Sequence, residues 1–99
     1  RPAITQGAAP PLEILKAEVS ALVTEPRLDA AISKTGRVLP GDAKRIAEVL
    51  SLIIEDLRAE LLASAADRVR ALSPESAAEL SSFIEGEARA LVELYLGPC

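Results

Sequence analysis

Residues 43–72 read AKRIAEVLSLIIEDLRAELLASAADRVRAL, and this stretch decides the fold. Ile46, Val49, Leu50, Ile53, Leu57, Leu61 and Ala65 recur at steps of three and four, which places them on one side of an amphipathic helix. Ile54 and Leu62 widen that stripe, and Val69 and Leu72 continue it. Asp42, just ahead, is suited to cap the helix, because its carboxylate can accept from free backbone amides one turn on. A straight helix over the whole stretch would measure about 45 Å. A compact chain of this size has a radius of gyration of roughly 13 Å. The helix therefore breaks, or its excess length packs against another copy. A bend or break near 63–66 is the expectation, since Ala63, Ser64, Ala65 and Ala66 are the weakest packing region.

Upstream, residues 1–10 show no period and contain two prolines, which reads as an extended arm. Pro11 suits the first position of a helix. Leu12, Leu15, Val19, Leu22 and Val23 then mark its apolar stripe, and Glu25-Pro26 ends it. A short helix is predicted from Pro26 to about Lys34, facing inward with Leu28, Ala31 and Ile32 and stopped by Thr35-Gly36. Residues 37–41 form a linker from which Val38 and Leu39 plug into the core.

Downstream, Ser73-Pro74-Glu75 is a cap, a first helical position and an acid at the positive helix end. The last helix carries Ala77, Leu80, Phe83, Ile84, Ala88, Leu91, Val92 and Tyr95 inward and closes at Gly97-Pro98. Gly86, in its middle, is either a surface glycine or a point of close helix approach. No stretch alternates with period two, so no sheet is expected. The fold class is all-α: a small bundle of four or five helices forming one domain over 11–99.

The chain has 99 residues and a net charge of −4, and 49% of it is hydrophobic. The apolar half consists mainly of 18 Ala and 15 Leu, the best apolar helix formers. Residues 1–45 carry a net charge of +2 (seven basic, five acidic) and residues 46–99 a net −6 (four basic, ten acidic). An acidic chain without aromatic platforms is a poor nucleic-acid binder. No apolar run is long enough to cross a membrane. The chain opens on Arg1 rather than Met, which reads as a processed terminus or a piece of a longer chain.

Residue chemistry argues against an enzyme. There is no histidine to activate a serine or cysteine. The acid pairs Glu55-Asp56 and Glu85/Glu87 diverge, by about 100° and about 200° around a helix. Zinc has one cysteine and no histidine to bind, the turns hold too few oxygen ligands for calcium, and Gly36, Gly41 and Gly86 form no phosphate loop. No metal or cofactor is expected. The lone cysteine, Cys99, excludes an internal disulfide and is the candidate for an intermolecular one.

Apolar surface remains. Ile14, Leu52, Ile54, Leu94 and Leu96 lie off the central stripes. They complete a wide-faced core, form a subunit interface, or line an apolar ligand site. A fatty-acid carboxylate would want a cation at the mouth, and Lys34 and Arg37, beside the Thr35-Gly36 turn, are the candidates.

The segment Leu28-Asp29-Ala30-Ala31-Ile32-Ser33-Lys34-Thr35, followed by Val38-Leu39-Pro40-Gly41-Asp42-Ala43 and then Ile46, Val49/Leu50, Ile53 and Leu57, resembles part of the fungal hydrophobic-surface-binding and cell-wall galactomannoprotein family. The end of the chain, Ile84 to Tyr95, is similar to that family's last helix. The likeness covers about half the chain. It departs after the long helix, where Ala66-Asp67-Arg68 replaces the family's paired lysines. The resemblance implies a secreted, all-helical protein that binds fatty acyl chains or apolar surfaces. The leading expectation is thus a non-enzymatic, secreted binder of an apolar small molecule or lipid. The alternative is a helical interaction module, in which the long helix and the acidic last helix pack against a second copy, as a homo-oligomer, or against a partner helix.

Overall fold

The computed structural model describes residues 11–36 and 41–97. The expected N-terminal arm, the linker residues Arg37, Val38 and Leu39, and Cys99 lie outside the described residues. Four helices are present: α1 (Pro11–Leu22), α2 (Glu25–Thr35), α3 (Ala43–Arg70) and α4 (Pro74–Leu96), with no strand among the described residues.

Local chemistry sets the helix ends. Asp42 accepts from the Arg45 backbone N–H at 3.2 Å, and Ser73 accepts from that of Ser76 at 3.1 Å. Each satisfies one of the free amides of its helix's first turn. Gly36 and Gly97 follow α2 and α4 at φ 87° and 88°, where a side chain would be strained. The helix α2 begins at Glu25, one residue before the expected start, with Pro26 in its first turn.

The long helix bends where its small residues fall. Ala65 has φ −144° and ψ 29°, outside helical values. One residue earlier the Ser64 hydroxyl donates to the Leu61 carbonyl, offering the backbone a competing partner. The helix ends at Arg70, short of Leu72, which still packs partly buried against the core.

Cross-helix contacts give the topology. Lys16 meets Glu79, Ser20 meets Glu87, and Glu25 meets Tyr95, so α1 and the head of α2 run parallel to α4. Glu18 meets Arg68, Arg27 meets Asp56 and Glu60, and the Thr35 carbonyl meets Arg45, so the same segment runs antiparallel to α3. Arg58 reaches Ser81 and Glu85, so α3 and α4 are antiparallel. The helices α1 and α2 thus lie end to end as one broken rod against the α3–α4 hairpin. The bundle measures 53 × 23 × 22 Å, with a radius of gyration of 15.5 Å. Elongation, together with the bend at Ala65, accommodates the long helix within one chain.

The core runs along the axis and is aliphatic. Leu15, Val19, Leu28, Ile46, Val49, Ile53, Leu57 and Val92 are its most deeply buried large side chains, and no polar side chain is buried among the described residues. The sequence stripes are largely found inward, with three corrections. Leu62 is 48% exposed, Tyr95 is 50% exposed, and Ala77 is exposed. Leu62 lies too far round α3 to meet either neighbouring rod. Ala77 and Tyr95 sit in the end turns of α4, where a helix has neighbours on one side only.

Gly86 makes no close approach. It is exposed in the interior of α4, and an added Cβ would meet nothing within 4 Å. Gly86→Ala is expected to stabilise the protein by about 0.5–1 kcal/mol, because alanine loses less backbone freedom on forming a helix. A higher urea midpoint at unchanged slope would report this. A lower midpoint would mean that this site is not a plain helix surface.

Candidate functional site

Among the apolar residues singled out by sequence, Leu52, Ile54 and Leu96 are partly buried and packed against the core. The helix α3 packs against both the α1–α2 rod and α4, and so buries a wider sector than one stripe, which accounts for Leu52 and Ile54. Ile14 on α1 is 42% exposed and Leu94 on α4 is 75% exposed. These five residues are spread over three helices. Of them, only Leu52 lines the groove described next.

An open groove of about 630 Å³ lies where α2 ends and α3 begins. It is lined by Lys34 and Thr35 from the last turn of α2, and by Lys44, Ala47, Glu48, Ser51 and Leu52 from α3. Lys44, Ala47, Glu48 and Ser51 fall at helical steps of three and four, which brings them to one surface of α3. The turn that sets the two helices beside each other is held by two contacts at Thr35. Its hydroxyl donates to the Ile32 carbonyl at 3.0 Å, and its own carbonyl accepts from the Arg45 guanidinium. The second satisfies a carbonyl at the end of α2, whereas the Ile32 carbonyl also accepts from the Gly36 backbone N–H at 3.0 Å.

The groove unites Lys34, the cation expected at a ligand mouth, with Leu52, one of the expected apolar residues. It adds Lys44, which the sequence pattern does not single out. The other sequence candidates, Arg37 and Cys99, lie outside the described residues.

The charge environment of these two lysines differs from that of most other cations. Lys16 pairs with Glu79 and Glu13, Arg27 with Asp56 and Glu60, Arg58 with Glu85, Arg68 with Glu18, and Arg70 with Asp67. Lys16 also sits 5.6 Å above the centre of the Phe83 ring, and its hydrogen bond to Glu79 raises its pKa above the ordinary lysine value. Lys34 and Lys44 have no carboxylate within 4.0 Å among the described residues. The one acid lining the groove, Glu48, lies 3.9 Å from Arg45. Lys44 stands in the first turn of α3, whose positive N-terminus is already met by the capping carboxylate of Asp42.

A different cluster ties the rods together. Arg27 donates to the Leu22 carbonyl at 2.7 Å, to Glu60 at 2.7 Å and to Asp56. It closes the break between α1 and α2 and fastens both to α3. At the far end of α4 the Tyr95 hydroxyl donates to Glu25 at 2.8 Å, and this bond raises the Tyr95 pKa. No group of three or more potential metal ligands occurs among the described residues. No described helix is long and apolar enough to cross a membrane. Compared with protein-family models, curated proteins and solved structures, the chain matches none.

Proposed function

We propose that this chain is a non-enzymatic binding protein that holds an apolar ligand with an anionic head, of the fatty acyl class, in the groove between α2 and α3. The observation that carries the proposal is the meeting of two lysines, neither within 4.0 Å of a carboxylate among the described residues, with Leu52 and Ala47 at one open groove that Glu48 also lines. Lys34 and Lys44 take the carboxylate, and Ser51 offers a hydroxyl. Leu52 and Ala47 receive the first methylenes, and the rest of the chain runs along the open groove. An extracellular setting, implied by the resemblance to the fungal family, belongs to this proposal. Finding the protein in the medium rather than in the cells of its source would test it.

The direct test is thermal unfolding with added oleate. Ligand that binds only the folded state raises the melting temperature progressively with concentration. Lys44→Ala, at an exposed position, is expected to leave the unliganded melt unchanged and to weaken binding by about tenfold, the loss of one charge-assisted contact. Unchanged melting across fatty acids of every chain length would overturn the proposal. Native mass spectrometry separates it from self-association. A ligand adds a few hundred daltons to the 10.4 kDa chain, whereas self-association gives whole multiples of that mass.

A further inference from the structure

The groove is not uniformly cationic. Lys34 and Lys44 line it with two positive charges, and Glu48 lines it with one negative charge. On α3, Glu48 stands between Lys44 and Leu52, four residues from each. About 6 Å of helix axis thus separates it from the cation on one side and from the apolar residue on the other. Residues four apart share one surface of a helix, so all three meet at the same groove. A ligand whose head lies at Lys44 and whose chain runs to Leu52 therefore passes the Glu48 carboxylate where head and chain join. The charge of Glu48 is not cancelled. Its partner among the described residues is Arg45, at 3.9 Å, and both side chains are about half exposed. Arg45 also donates to the Thr35 carbonyl. A pair so long and so exposed is weak, which leaves the field of the acid in the groove.

We infer that Glu48 tunes the groove by head-group charge, biasing it toward a singly charged carboxylate and away from a doubly charged phosphate monoester. The inference rests on the acyl-ligand reading above and narrows the head that this reading admits. Discrimination between two ligands is set by repulsion as well as attraction, and Glu48 is the repulsive element at this site. One negative charge on the ligand balances what the lining residues carry. A phosphate monoester, ionised twice above its second pKa of about 6, brings a further charge against Glu48. It also gives up more hydration on entry. The lysines attract the phosphate more strongly as well, so the signature of Glu48 is a ratio between the two ligands rather than the affinity for either.

The test compares dodecanoate with dodecyl phosphate, equal in chain length, at about pH 8, where the phosphate is a dianion. Each is titrated into the full chain below its micelle-forming concentration. The dissociation constant is read from the rise in melting temperature with concentration. Glu48→Gln keeps the shape of the side chain and removes its charge. The position is exposed, so the unliganded variant should melt as the parent does. It should bind dodecanoate about threefold and dodecyl phosphate about tenfold more tightly, since doubling the ligand charge squares the factor. Both gains should shrink as salt rises. Glu55→Gln, at an exposed acid of the same helix that lines no part of the groove, makes the same change in net charge. It should leave both dissociation constants as they are.

Equal tightening of the two ligands by Glu48→Gln, or none, would overturn the inference and leave the ligand reading in place. Matching effects of Glu55→Gln and Glu48→Gln would do the same, because they would report net charge rather than an acid at the groove. If neither amphiphile raises the melting temperature of the parent or of Glu48→Gln, the ligand reading falls and takes the inference with it.

Discussion

Leu57→Ala is expected to destabilise the protein by about 3–4 kcal/mol, a large part of the roughly 5–15 kcal/mol available to a domain of this size. Leu57 is fully buried near the middle of α3, between the α1–α2 rod and α4. Fifteen buried residues make up the core among the described residues, and all are aliphatic. The rods on either side are tied to α3 through Arg27 and Arg58, which limits collapse of the cavity. Poor collapse keeps the cost in the upper part of the range for such truncations. Urea unfolding followed by circular dichroism would measure it, with Leu94→Ala as the exposed comparison at within about 0.5 kcal/mol of the parent. A cost under about 1 kcal/mol at Leu57 would show that the core is not uniquely packed.

Arg27→Lys, conservative by charge, is expected to cost about 1–2 kcal/mol, nearly as much as Arg27→Ala. The guanidinium spans three acceptors at once: the Leu22 carbonyl, Asp56 and Glu60. A lysine ammonium is a point donor on a flexible stem and cannot hold all three in one plane. The two carboxylates are about half exposed, so their pairing is screened and its share is modest. The larger share belongs to the Leu22 carbonyl, which ends α1 and is covered by a side chain only 13% exposed. Salt should therefore weaken the parent only slightly. Hydrogen exchange would show the effect locally. In the variant, α1 should exchange faster, while the α3–α4 hairpin keeps its protection. Uniform loss of protection across all four helices would assign Arg27 to global stability rather than to the α1–α2 break.

What could be read from the sequence was what local chemistry decides. Pro11, Thr35-Gly36, Asp42 and Ser73-Pro74 mark helix ends through caps and fixed dihedrals that need no distant partner, and the ends fall there. The bend at Ala65 was legible because a run of alanine and serine offers little side-chain packing to hold a long helix straight. Spacing alone gave the stripes but not their width. Ile54 lies off the central stripe and still packs inward, whereas Leu62 was counted with the stripe and faces solvent. Arg27 was not legible at all. Its partners on α3 stand 29 and 33 positions away, and helical spacing reports only neighbours one turn apart. Lys44 was passed over for the same reason. Its relation to Lys34 is made by the turn between the helices, not by a repeat within one.

The end-to-end placement of α1 and α2 has a kinetic consequence. The hairpin of α3 and α4 closes over three residues, 71–73, so its contacts form at low loop-closure entropy. The N-terminal rod reaches α4 across separations of 63 to 70 positions. In a folding chain such contacts wait for the hairpin that receives them. Its α1 part, whose cross-helix contacts span 50 positions or more, is then expected to be the last element to assemble and the first to detach. It is also the piece that two copies would exchange if the chain were concentrated while partly unfolded.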